Sequence, residues 1–78
     1  MSSSSPEILN FGRNLRRLRE LHGLTVEELA KELCLSPRTV QNLEKGILHP
    51  HLSARVLYRI FYLYGVMPSA LFSPPPEE

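Results

Sequence analysis

Two apolar stripes of helical spacing lie between Gly23 and Gly46, one formed by Leu29, Ala30 and Leu33 and the other by Val40 and Leu43. Only Cys34 to Thr39 separate them. Each stripe is too short to make a helix that stands alone, because isolated helices below about 12–15 residues are marginal in water. Both must therefore be held against a shared core. The punctuation agrees. Thr25 is placed as an N-cap and Glu28 completes a capping box with it, while Leu24 and Leu29 are spaced for a hydrophobic staple. The first helix is predicted to end near Leu33, with Cys34 and Leu35 forming a tight turn. Ser36 caps the second helix, Pro37 opens it and Gly46 closes it. The second helix then turns Val40 and Leu43 inward with Thr39 at the border. Pro37, Arg38, Gln41, Asn42 and Lys45 are left outside.

The flanking sequence supplies the rest of a small all-α domain. Ser5 can cap a helix that begins at Pro6, and Glu7 complements the dipole of its first turn. Ile8, Phe11, Leu15, Leu18 and then Leu21 or His22 recur at spacings of three and four, which predicts an amphipathic helix of about four turns. A fourth helix is expected from a Ser53 cap to Tyr64, with Leu57, Ile60, Phe61 and Tyr64 as its buried stripe and Gly65 as its stop. A last turn spans Pro68 to Phe72. No alternating strand pattern and no repeat interrupts this. The reading is five helices over residues 6–72, a serine-rich disordered tail at 1–5, and a proline-rich extended tail at 73–78.

Composition narrows the function classes. The chain has 78 residues, one cysteine and no apolar run near the roughly 20 residues of a membrane span. Together with an N-terminus that lacks the features of a signal peptide, this leads to a cytoplasmic expectation. The net charge is only +1, but all nine Lys and Arg lie between Arg13 and Arg59, whereas Glu7, Glu77 and Glu78 of the eight acids lie outside. Nine bases then face five acids, and local cations rather than the whole-chain sum determine affinity for phosphates. There is no aspartate, no nucleophile paired with a histidine at a recognisable spacing and no glycine-rich phosphate loop, so an enzyme is not expected.

The outward face of the helix opened by Pro37 has the chemistry of a base reader. A guanidinium can make two hydrogen bonds to guanine, and a carboxamide two to adenine. Arg38, Gln41 and Asn42 supply these groups beside Pro37. Lys45 and the hydroxyls of Ser36 and Thr39 suit phosphates, and the amides near Thr25 and Val26 offer a helix N-terminus to another. An ordinary solvated face would carry similar residues. The short, doubly capped helix and the turn before it favour the reader. No cofactor is implied, and His49 and His51 without a third ligand make a poor metal site; as loop cations near phosphate they are more credible, His49 above all.

These residues carry a resemblance. The segment from Phe11 to Phe72 resembles the Cro/phage-repressor helix-turn-helix family, also called XRE-like. The match runs through Leu15, Arg16, Arg17, Leu18, Arg19 and Glu20; Gly23, Leu24 and Thr25; Glu27 to Ala30; Leu33, Ser36 and Val40; Leu43 to Gly46; and Pro50, Ile60, Gly65 and Val66. The resemblance implies a compact, lambda-repressor-like fold that sets its second motif helix in the major groove of double-stranded DNA. Ser36, Pro37, Arg38, Thr39, Gln41 and Asn42 occupy the groove-facing positions, and Thr25, Val26 and the loop after Gly46 the phosphate-contacting ones. It also implies a structural ion pair between Arg19 and Glu44. Three departures stand out. Val26 replaces a glutamine that commonly touches phosphate. Cys34 replaces the turn glycine, at a cost of roughly 1 kcal/mol. The loop between Gly46 and Ser53 is about two residues longer than usual.

The expected function is that of a sequence-specific DNA-binding transcriptional regulator, a repressor that binds a palindromic operator as a dimer, with no small-molecule ligand evident. Tyr58 and Tyr62, four apart and outside the expected core stripe, form with Val66 and Met67 a candidate dimer seam; the alternative is that the tyrosines flank the core with wet hydroxyls. Two rival functions stay open. An antitoxin or a restriction-system controller would share the fold and the DNA. A protein-interaction module would keep the fold and lose the DNA. Cys34 reads as a small apolar filler more readily than as a redox sensor.

Overall fold

Local side-chain chemistry sets the ends of the motif helices. The computed structural model describes residues 6–47 and 53–75 as α1 (Pro6–Leu21), α2 (Val26–Leu33), α3 (Pro37–Glu44), α4 (Ala54–Tyr64) and α5 (Pro68–Phe72). The fold is all-α. The capping role of Ser5, the tail at 1–5, the loop cations His49 and His51, and residues 76–78 lie outside the described residues.

The capping box at α2 is complete: the Glu28 amide donates to Thr25 Oγ1 at 3.1 Å and the Thr25 amide to Glu28 Oε1 at 2.8 Å. At its other end Cys34 adopts φ 60°, and it is the one non-glycine with positive φ among the described residues. Its amide donates to the Lys31 carbonyl at 3.3 Å and the Leu35 amide reaches back to the Ala30 carbonyl at 2.8 Å. This Schellman closure satisfies carbonyls that would otherwise be orphaned, and so offsets the left-handed strain of a residue with a Cβ. Ser53 stands at the N-cap of α4, but its side chain makes no capping bond.

The core is one cluster drawn from all five helices: Phe11, Leu15 and Leu18; Leu29, Ala30 and Leu33; Val40 and Leu43; Val56 and Ile60; and Leu71. α1 packs on α3 and α5, and α2 on α3 and α4. Two expectations need correction. Leu21 is 71% exposed and His22 is also exposed, so the buried stripe of α1 stops at Leu18. On α4, Phe61 is 43% exposed, and Val56 and Ile60 make the buried stripe with Leu57 and Tyr64 at its margins. Val56 and Ile60 are one turn apart, whereas Phe61 sits about 100° round the helix from Ile60.

Two contacts fix α1 to the rest. Gly12 is buried in the middle of α1 because the main chain of α3 lies against it: a Cβ there would collide with the carbonyl oxygens of Leu43 and Glu44. Asn14 Nδ2 donates to the carbonyls of Leu71 and Ser73, both at 2.7 Å, and Asn10 Nδ2 to that of Phe72 at 3.3 Å. The Phe11 and Phe72 rings stack beneath these amides, their centroids 5.2 Å apart.

Tyr64 joins α4 to α2. Its hydroxyl donates to Glu32 Oε1 at 3.1 Å and its ring tilts against His22 at 4.8 Å. Burial, with the Glu32 carboxylate adding to it, pushes the phenol from 10.0 up to about 12. The folded chain therefore holds this proton more tightly than the unfolded chain. The stability it contributes is fully present below pH 10 and is lost as pH rises from about 10 to about 12. Urea denaturation across that window is expected to show a decline that Tyr64→Phe shallows, and an unchanged decline in the variant would remove Tyr64 as its cause.

Candidate nucleic-acid interface

α3 has only eight residues, and contacts on one flank and at both ends hold it in place. Val40 and Leu43 are buried in the core, with Thr39 beside them. At the N-terminus the Thr39 amide donates to Ser36 Oγ at 3.1 Å, and the two hydroxyls share a hydrogen bond of 2.8 Å. At the C-terminus the Gly46 amide donates to the Leu43 carbonyl at 3.0 Å and the Ile47 amide to that of Asn42 at 2.9 Å. From the side, Arg19 grips Glu44 through Nε to Oε2 at 2.8 Å and Nη2 to Oε1 at 3.2 Å, while Nη1 donates to the Leu24 carbonyl at 3.0 Å. The bonded Glu44 carboxylate raises the guanidinium's affinity for its proton, against the opposing effect of burial. Three donors of one arginine thus tie α1, the start of the motif and the end of α3 together.

This clamping leaves one side of α3 outward. Pro37, Arg38, Gln41 and Lys45 are exposed and Asn42 is half-buried. At 100° per residue, Arg38, Gln41, Asn42 and Lys45 fall within a single arc opposite Val40 and Leu43. Ser36 is exposed at the helix start. Thr39, expected at the phosphates, is 8% exposed, and its hydroxyl shares a hydrogen bond with that of Ser36.

The start of α2 is exposed at Thr25, but Glu28 already occupies the Thr25 amide, and Glu27 adds a second carboxylate to the first turn. An incoming phosphate meets two acids there. The half-buried Val26 side chain packs on the core and offers only its backbone amide. Of the seam residues, Tyr58 (66% exposed) and Tyr62 (73% exposed) stack at 6.4 Å and line one groove. Val66 is half-buried and lines another groove, between α1 and α5. Met67 is exposed.

Gly12, Asn10, Asn14 and Val56 were missed by the sequence reading, although Gly12 sets the approach of α3, the two asparagines hold α5 and the residue after it, and Val56 sits in the core. Only Gly12 carried a signal, since a glycine inside a helical pattern costs about 1 kcal/mol against alanine and so calls for a packing reason.

Known proteins share this arrangement. A helix-turn-helix family model matches residues 15–69. An uncharacterised HTH-type transcriptional regulator of Methanocaldococcus jannaschii is 38% identical over 58 residues, which cover 74% of this chain and 85% of the relative. The restriction-modification controller protein C.AhdI of Aeromonas hydrophila superposes with a TM-score of 0.72 at 28% identity, covering 87% of this chain and 100% of that one. The clp gene regulator ClgR of Corynebacterium glutamicum superposes with a TM-score of 0.69 at 26% identity, covering 83% of this chain and 67% of that one. With α2, the Cys34 turn and the clamped α3 as its central unit, the chain belongs to the helix-turn-helix family.

Proposed function

We propose that the chain is a sequence-specific DNA-binding transcriptional regulator that places α3 in the major groove. The observation that carries this reading is the arc of Arg38, Gln41, Asn42 and Lys45 on a helix whose opposite side is buried. Arg38 reads guanine through its fork, and Gln41 and Asn42 read adenine. Pro37 makes apolar contact with base edges. Lys45, Ser36 and the Val26 amide contact phosphates, with Thr25 and His49 beyond them. Two copies, related by a twofold axis, read the half-sites of a palindromic operator about one DNA turn apart, with Tyr58, Tyr62, Val66 and Met67 at or near the seam. Occupying an operator that overlaps a promoter represses transcription. Such a protein works in the cytoplasm.

The likeness to a controller protein over that protein's whole length favours a second biological setting, control of a restriction system, with the same DNA chemistry. A nuclease gene beside this one would distinguish it.

The test is selection of bound duplexes from a random library, repeated with two variants. Arg38→Ala is expected to remove about 1–3 kcal/mol of discrimination at one base pair of each half-site. Lys45→Ala is expected to weaken binding to all sequences alike and to lower the salt slope by about one. Failure to enrich any sequence at low salt would overturn the proposed function. An unchanged preference in Arg38→Ala would remove that residue as a reader.

A further inference from the structure

A groove of about 740 Å³ runs between the motif's turn and α4. Cys34, Leu35, Arg55, Tyr58, Arg59 and Tyr62 are among the residues that line it. The two tyrosine rings lie nearly parallel, 23° apart, and both arginines are exposed, Arg59 with its Nε donating to the Glu32 carbonyl. Aromatic faces flanked by guanidinium groups suit an extended proline segment that also carries carboxylates.

The chain contains such a segment. Ser73 is followed by three prolines and then Glu77 and Glu78. Polyproline geometry advances about 3.1 Å per residue, so residues 74–78 reach about 15 Å. From Arg55 to Tyr62 the groove's helical wall is about 10 Å long. The segment is long enough to lay prolines on the tyrosines and glutamates on the arginines. In its own copy the segment starts from a Ser73 carbonyl that Asn14 of α1 holds at 2.7 Å, whereas the residues that line the groove come from α2, the turn after it and α4 with its cap.

We propose that this groove binds the proline-glutamate segment, residues 74–78, of a second copy of the chain. The inference rests on the dimer reading above. It adds a reciprocal exchange in which each copy lends an acidic strap to the other.

The test uses the whole 78-residue chain. A tagged chain carrying Cys34→Ser and Glu78→Cys is mixed with the untagged native chain, whose cysteine lines the groove, and oxidised mildly. A covalent heterodimer is expected. The same mixture with Arg13→Cys in place of Glu78→Cys controls for random collision and is expected to yield at least tenfold less. In parallel, Glu77→Lys with Glu78→Lys is expected to weaken self-association in sedimentation equilibrium about tenfold. Adding Arg55→Glu to that variant should recover part of the loss. A chain that sediments as a dimer, yet gives no heterodimer above the control and no response to charge reversal, overturns the exchange and leaves the dimer standing. A native chain that stays monomeric at every concentration overturns both. A third chain, carrying Glu78→Cys and keeping Cys34, is oxidised alone; if it bridges within one chain in preference to forming a dimer, the exchange is also overturned.

Discussion

Arg19→Ala is expected to lower the stability of the domain by about 3–5 kcal/mol. The Glu44 side chain is 9% exposed and that of Arg19 16%, so removing the guanidinium strands a carboxylate with little water to replace it. The Leu24 carbonyl loses its donor as well. A small domain has a total stability near the lower end of about 5–15 kcal/mol, so much of it is at stake. Urea denaturation measures the loss. Replacing both partners by apolar residues, Arg19→Met with Glu44→Leu, should cost less than either truncation, because no charge is then left unpaired. A loss below about 1 kcal/mol in Arg19→Ala would show that the pair is screened like a surface bridge.

Gly12→Ala is expected to destabilise by about 3 kcal/mol, the upper end of the overpacking range. Helix propensity pulls the other way: alanine in place of glycine inside a helix gains about 1 kcal/mol. The clash wins because the new methyl meets main-chain oxygens of Leu43 and Glu44, which no rotamer change can move aside. α1 and α3 have to part, and the Arg19–Glu44 grip is strained with them. Thermal melting together with DNA titration measures both consequences, and the affinity is expected to fall along with the melting temperature. A variant more stable than the native chain would mean that α3 shifts freely, against the close approach described above.

The motif was legible in the sequence because its determinants are short-range. Thr25 with Glu28, and Ser36 with Pro37, fix their helix ends within four residues, and the structure places those ends there. α4 was only half legible. Val56, Leu57, Ile60, Phe61 and Tyr64 are all apolar or aromatic, so the pattern permits two stripes about 100° apart, and packing against α2 and α5 decides between them. Gly12, Asn10 and Asn14 act on partners roughly 30 to 60 residues away, beyond the reach of any local pattern. Arg19 and Glu44 were paired in advance through family resemblance, since nothing in their spacing joins them. The outward arc of α3 followed directly from its period. The two carboxylates at the start of α2 were also visible as sequence, but Glu28's hold on the Thr25 amide emerged only with the fold.

The amides of Asn10 and Asn14 carry a consequence for biosynthesis. Their acceptors are made some 56 to 62 residues after them. On the ribosome α1 emerges early, but the Phe11 ring has no Phe72 to lie on, and Leu71 cannot fill its place, until α5 has cleared the exit tunnel. The flank of α1 that α5 covers therefore stays open until α5 is available, and the domain can close only then.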